Sequence, residues 1–181
     1  MKKKRMSGFV SIAAFLGLLI FSGCATTTPK PIFTQEISPG HLVAASDSMK
    51  ALVGAANNIA ITDLEKARIS RVIEEKIATK KVLNAKNGDS KNYEVNVTLT
   101  RYDKGNAFAR AMLAGLGQIH IEGQVKLFEM PDKKKVGEFS IQKTFAWGGV
   151  YGAATSIEDI EKTFADSIAA AVTGQSDDAA K

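Results

Sequence analysis

Three stretches of this sequence alternate apolar and polar residues with a period of two, and this pattern limits the possible folds more than any other feature. Because successive side chains of a strand point to opposite faces of a sheet, each stretch predicts a strand with one buried and one wet face. Strands of this kind are typical of antiparallel sheets. The turn sequence at 130–133 would join the last two strands as a hairpin. The apolar positions are Tyr93, Val95, Val97 and Leu99; Ile119, Ile121, Val125 and Leu127; and Phe139, Ile141 and Phe145.

Two further stretches place apolar residues at helical spacing, each behind a capping box, in which a Ser or Thr and an acid three residues later bond free amides. The boxes are Thr62–Glu65 and Thr155–Glu158. The predicted buried stripes are Ile69, Val72, Ile73 and Ile77 in the first helix, and Ile157, Ile160, Phe164, Ile168 and Val172 in the second. In the second helix Glu158, Asp159, Glu161 and Lys162 are expected to point outward.

Residues 49–56 are compatible with a strand or a helix, because alanine favours a helix on propensity. The strand is preferred, since Asn57-Asn58 and the Thr62 cap leave a short connection behind it. The expected fold is therefore an α+β (α/β) domain of order β-α-β-β-β-α. Its antiparallel sheet of three to four strands would carry two helices on one face.

The N-terminus has the chemistry of a secretory signal. Met1–Arg5 is positive, and the next 18 residues, 6–23, carry no charge. The run Phe21-Ser22-Gly23-Cys24 resembles the lipobox of bacterial lipoproteins. This resemblance implies that residues 1–23 are removed. An uncleaved membrane-spanning helix is the alternative, since 18 apolar residues are about the minimum that crosses a bilayer.

The lipobox resemblance implies that Cys24 becomes an acylated N-terminus. Because Ala25 rather than Asp follows Cys24, the resemblance also implies sorting to the outer membrane, with the periplasmic face as the default side. Residues 24–40 contain three of the four prolines and are expected to form a flexible tether. Residues 41–173 would form a single domain, and residues 174–181 a disordered tail.

Composition removes several classes of function. Four of the 24 basic residues lie in the signal, so the mature chain keeps 20 against 19 acidic residues, a net charge of +1. A chain with this charge balance has no excess of positive charge with which to bind the phosphates of a nucleic acid. Once Cys24, the one cysteine, is acylated, disulfides, cysteine metal sites and thiol nucleophiles are excluded. With only two histidines, no metal or other cofactor is expected.

Two segments do not resemble plain scaffold. In Asp103–Gly117, Asn106 can cap a short helix that Gly115 ends, and Phe108 and Met112 give it a strongly apolar surface. Such a helix must pack under the domain, touch the membrane or meet a partner. In one interpretation Arg110 bonds to carbonyls of the glycine turns of a tight crossover; in the other the segment binds a partner.

The second segment, 147–154, places Trp147 and Tyr151 among three glycines, which make the backbone mobile. Aromatic residues on a flexible loop are common where partners are bound, although these two can also simply close one end of the sheet. The candidate contact residues are therefore Phe108, Arg110, Met112, Trp147 and Tyr151.

The run Gly105-Asn106, Arg110, Gly115-x-Gly117, followed by two strands, resembles an uncharacterised family of bacterial lipoproteins known only as a domain of unknown function. The resemblance covers roughly residues 50–172. It implies an α/β domain on a lipid anchor and supplies no catalytic residues.

Catalysis is not expected. A Ser-His-Asp site would need His41, near the tether, or His120, in mid-strand on the polar face, and the sequence has no Gly-x-Ser-x-Gly elbow. We therefore expect a lipid-anchored, non-catalytic envelope protein that binds or scaffolds a periplasmic protein partner. A carrier of a small ligand or lipid is the alternative, and a hydrolase is the third possibility.

Overall fold

The computed structural model describes residues 30–84, 89–113 and 115–175, so the predicted signal segment, Cys24 and the last six residues lie outside the described part. One five-stranded sheet and four α-helices make up the fold. The strands are β1 Ile32–Gln35, β2 Ser48–Ala55, β3 Asn92–Asp103, β4 Ile119–Met130 and β5 Lys134–Phe145. The helices are α1 Asp63–Lys81, α2 Ala107–Met112, α3 Gly149–Ala154 and α4 Ile157–Thr173.

The sheet has the order β1-β5-β4-β3-β2 and is mixed. Strand β2 pairs in parallel with β3, and the other pairs are antiparallel. The α+β class is confirmed, but the prediction of an antiparallel sheet of three to four strands is wrong. Helix α1 returns the chain to the end where β2 began, so β3 must run in the same direction as β2.

Residues 48–55 form a strand, which decides the ambiguity in favour of the preferred interpretation. The additional strand is β1, which lies in the segment predicted as tether. Ile32 pairs with Ser140 and Phe33 with Phe139, and the Phe33 ring lies 5.2 Å from the Phe139 ring. Four residues just behind Pro31 are too few to show an alternating pattern, so only pairing with β5 reveals this edge strand.

The core lies between one face of the sheet and helices α1 and α4, which pack against each other. The predicted stripes are confirmed. In α1, Ile69, Ile73 and Ile77 are buried and Val72 is partly buried. In α4, all five predicted apolar positions are buried. The second capping box begins one residue later than predicted, with Ser156 and Asp159. Within the described residues, no helix is both long and apolar enough to span a bilayer.

Glu161 is not outward, as predicted, but only 1% exposed. Its carboxylate accepts two hydrogen bonds from Arg68, from Nε at 2.8 Å and Nη2 at 2.7 Å, and a third from the Tyr102 hydroxyl at 2.6 Å. Burial and the bond to Glu161 raise the pKa of Tyr102 well above its usual range. This cluster joins α1, β3 and α4 through one charged group, which a helical pattern alone assigns to the surface.

Replacement of Glu161 by Gln should destabilise the domain by about 3 kcal/mol, because it leaves the Arg68 guanidinium without its buried counter-charge. The matched control is Glu158→Gln, since Glu158 lies on the same helix and pairs with Arg68 Nη1 at 3.4 Å from a half-exposed position. We expect the control to cost less than about 1 kcal/mol. Urea unfolding of both variants measures the difference, and equal losses would show that burial of Glu161 has no energetic consequence.

Candidate docking surface

The topology brings the two unusual segments to one end of the sheet. Strand β3 ends with Asp103 opposite His120, and β5 ends with Phe145 opposite Ile119. Helix α2 connects β3 to β4 and α3 follows β5, so both helices lie at this end, where they pack against each other.

Both segments fold into single short helices. Asn106 caps α2 as predicted, since its side chain accepts a hydrogen bond from the Ala109 amide at 2.9 Å. Helix α2 ends at Met112, before Gly115, whose φ of +84° is left-handed as expected of that turn. The second segment is not the mobile glycine loop that we predicted from its composition, because residues 149–154 form α3.

Arg110 holds the two helices together. Its guanidinium donates three hydrogen bonds to backbone carbonyls, from Nε to Gly152 at 2.8 Å, from Nη1 to Gly117 at 2.8 Å and from Nη2 to Thr155 at 2.9 Å. The side chain is only 3% exposed, and burial lowers its pKa. The interpretation in which Arg110 bonds to carbonyls of the glycine turns is therefore confirmed. Arg110 positions the surface from beneath, and its guanidinium is already engaged.

Two glycines make this arrangement possible. A Cβ atom on Gly117, which has a φ of +68°, would overlap the carbonyl oxygen of Asn106. A Cβ atom on Gly152 would overlap the carbonyl oxygen of Trp147 and would lie 3.5 Å from Cβ of Arg110. The spacing of glycines around Asn106 and Arg110 thus encodes close backbone packing.

Above Arg110, seven large apolar side chains are exposed, and we call them the α2–α3 surface. Val150 is 89% exposed and Phe108 75%. The rings of Trp147 and Tyr151 lie 5.7 Å apart, edge to face, which fixes their relative orientation. Apolar groups concentrated in this way mark contact sites, whereas single exposed apolar residues are ordinary. The members are Phe108, Met112, Leu113, Leu116, Trp147, Val150 and Tyr151.

The α2–α3 surface contains four of the five predicted contact residues, with Arg110 buried below them. Sequence reasoning missed Val150, its most exposed member. The spacing of Trp147, Val150 and Tyr151, at i, i+3 and i+4, is the signal that could have found it, because it predicts one helical face. The three glycines concealed that signal.

A shallow cavity of about 430 Å³ lies beside this surface, between β5, α3 and α4. Its lining includes Lys143, which is only 6% exposed and whose pKa is lowered by burial. Lys143 lies on the buried face of β5, between Ile141 and Phe145. This charged residue interrupts the alternating pattern, and the sequence analysis did not identify it as buried. Phe145, Tyr151 and Ile160 supply the apolar part of the lining.

The two histidines lie at opposite ends of the sheet. His120 Nδ1 lies 3.0 Å from the Thr144 hydroxyl, and burial lowers the pKa of His120. His41 contacts the Ser38 hydroxyl through Nδ1 at 2.8 Å and Glu129 through Nε2 at 3.1 Å. The residue after Ser38 is Pro39, which has no amide hydrogen, so the backbone position that often stabilises an oxyanion next to a serine nucleophile is missing here.

Within the described ranges, no three acidic, histidine or cysteine residues are grouped so that they could hold a metal ion.

Replacement of Gly152 by Ala should lower the free energy of unfolding by about 1–3 kcal/mol, since the added methyl group forces the Trp147 carbonyl to move. It should also shift the fluorescence of Trp147, the chain's one tryptophan. Gly54→Ala is the control, because a Cβ atom there meets nothing within 4 Å. Urea unfolding followed by tryptophan emission measures both effects, and a Gly152 variant indistinguishable from the Gly54 variant would contradict close packing at α3.

Among solved structures, the PelC dodecamer shares this fold, and two others have lower similarity. The PelC dodecamer from Paraburkholderia phytofirmans has a TM-score of 0.52 at 10% identity, over 80% of this chain and 97% of that one. Protein XCC0632 from Xanthomonas campestris, of family DUF330, has 0.42 at 16% identity, over 83% and 98%. A Caulobacter crescentus protein described as a candidate lipoprotein has 0.36 at 13%, over 66% and 81%. No curated protein sequence matches the chain. Residues 35–149 match the family model of a domain of unknown function, DUF4410, and the chain therefore belongs to that family.

Proposed function

We propose that this chain is a non-catalytic lipoprotein, anchored through Cys24 at the periplasmic face of the outer membrane, that binds or scaffolds a partner in the cell envelope. The observation that carries the docking role is the α2–α3 surface. It exposes seven large apolar side chains to water at one end of the domain. A partner that covered this surface would remove their apolar area from water. The lipobox-like run at Cys24 supports the anchor.

The way in which the surface is held also supports docking. Three hydrogen bonds from Arg110 fix α2 and α3 against each other before any partner arrives. Gly152 permits this close packing, because a Cβ atom there would overlap the Trp147 carbonyl oxygen. A surface that is already ordered loses little conformational entropy on binding, and more of its buried apolar area then contributes to affinity. The PelC structures with this fold are dodecamers, which supports the scaffolding part of the proposal.

A carrier of a small ligand is the second candidate, and the cavity beside Lys143 favours it. A volume of about 430 Å³ lies within the range of small-molecule sites. The cavity is shallow and shares Tyr151 with the α2–α3 surface, so a ligand there would adjoin the docking surface. Docking ranks first because it uses all seven exposed apolar side chains, whereas the cavity uses one.

The anchor predicts a specific effect of Cys24→Ser. The serine hydroxyl cannot form the thioether that holds the diacylglyceryl group, so labelling with radioactive or clickable fatty acid should be abolished and an unprocessed precursor should accumulate. Cells that express the unaltered chain are the control. Persistent acyl labelling of the Cys24→Ser variant would refute the anchor.

Docking predicts protection of the α2–α3 surface in cells. Because acylation blocks Cys24, a cysteine introduced elsewhere is the only free thiol, and Val150→Cys can be labelled with a maleimide after the outer membrane has been opened. Val82→Cys is the matched control, since Val82 is 67% exposed at the C-terminal end of α1. Relative to each variant unfolded in urea, Val150→Cys should react several-fold more slowly than Val82→Cys.

Equal relative reactivity of the two cysteines would contradict docking. It would leave the anchor intact, because the Cys24→Ser experiment tests that part separately.

A further inference from the structure

We infer that the α2–α3 surface rests on the lipid bilayer into which Cys24 is anchored. This inference rests on the proposed anchor and names what the docking surface meets. Three independent features of the molecule carry it: the direction in which the chain leaves the sheet, the length of chain between the sheet and Cys24, and the chemistry of the surface.

The chain leaves the sheet toward the α2–α3 end. Strand β1 is antiparallel to β5, with Gln35 beside Glu138 and Ile32 beside Ser140. Moving from Gln35 back toward the N-terminus therefore follows β5 toward Phe145, which is the end where α2 and α3 lie. Lys30 continues in this direction, since it lines a groove of the wet sheet face together with Gln142 and Thr144.

The connection to Cys24 is short. Five residues separate Lys30 from Cys24, and the six Cα–Cα steps between these two residues span at most about 21 Å when fully extended. Continuing the β1–β5 register places Lys30 level with Gln142. The end of β5 at Phe145 is then about 10 Å further on, at about 3.3 Å per residue. A helix packed across that end adds about 10 Å.

These lengths leave little freedom. Even a fully extended connection reaches about as far as the outer side of α2 and α3, and a less extended one would draw the domain closer. An acyl anchor at Cys24 therefore holds this end of the domain at the bilayer surface. The opposite end, with the β4–β5 turn and the C-terminus of α4, points away from it.

The surface that is brought there fits a lipid interface. Residues 105–118 and 144–157 contain one charged residue, Arg110, and its side chain is buried. Trp147 and Tyr151 have apolar rings with a polar edge, and such side chains concentrate at the level of lipid headgroups. Phe108, Met112 and Val150 can insert their side chains more deeply without desolvating any charge.

Contact with the bilayer would also orient the domain. With α2 and α3 on the lipid, the strands of the sheet stand away from the membrane and the polar face opposite α1 and α4 remains open to the periplasm.

Trp147 reports the contact directly, because it is the chain's one tryptophan and a member of the surface. The processed chain, residues 24–181, has Cys24 as its one thiol, which can be coupled to a maleimide lipid in vesicles of phosphatidylethanolamine and phosphatidylglycerol. We expect coupling to shift Trp147 emission to shorter wavelength, and lipids brominated near the glycerol to quench it. Val150→Asp should remove most of the quenching.

Val82→Asp is the matched control, an equal change of charge at an exposed valine of the opposite end, and should leave the quenching unchanged. Unaltered emission on coupling would overturn the inference. A blue shift without bromolipid quenching would also overturn it, in favour of contact with a second copy of the chain. Coupling supplies the anchor chemically, so either failure is distinct from a failure of Cys24 to be acylated in cells.

Discussion

The buried guanidinium of Arg110 is the interaction on which the rest of the α2–α3 end depends. It satisfies three backbone carbonyls that belong to the turn after α2, to α3 and to the start of the connection into α4. Neither α2 nor α3 is long enough to be stable alone, since isolated helices of six residues do not form in water. Tertiary hydrogen bonds from Arg110 stabilise these short helices instead. Gly117 and Gly152 allow the backbones to approach closely enough for the Arg110 side chain to reach all three carbonyls.

A second polar cluster acts on the neighbouring side of the domain. The Glu161 carboxylate of α4 accepts hydrogen bonds from Arg68 of α1 and Tyr102 of β3. These bonds connect both core helices to the sheet near the end where α2 and α3 pack. The remainder of the core, under α1 and α4, is almost entirely apolar. Buried polar contacts also hold the opposite end, where the Asp47 carboxylate accepts hydrogen bonds from the amides of Ala44 at 2.8 Å and Lys91 at 2.9 Å.

Much of the fold could be predicted from local patterns. The period-two strands β3, β4 and β5 and the capped helices α1 and α4 each bury a continuous stripe, and a buried stripe leaves a regular mark in the sequence. Strand β1, helix α3 and the parallel pairing of β2 could not be predicted in this way. Four residues of an edge strand are too few to show a period, and the glycines of 147–154 conceal the helical spacing of Trp147, Val150 and Tyr151. Pairing direction depends on where a crossover returns the chain, and Glu161 and Lys143 are polar residues that only their neighbours place inside.

The sequence by itself predicted a location for this protein and determined which reactive side chains it contains. A charged start, an uncharged stretch and Cys24 behind small residues resemble a lipoprotein signal, and one cysteine and two histidines leave few residues for a metal site or a thiol nucleophile. It also marked Phe108, Met112, Trp147 and Tyr151 as residues without an obvious place in a core. Only the tertiary structure decided that these residues share one surface, that Arg110 lies beneath it, and that β1 leads the chain out at the same end. Those are relations between segments far apart in sequence, and strand register and backbone packing, rather than local pattern, fix them.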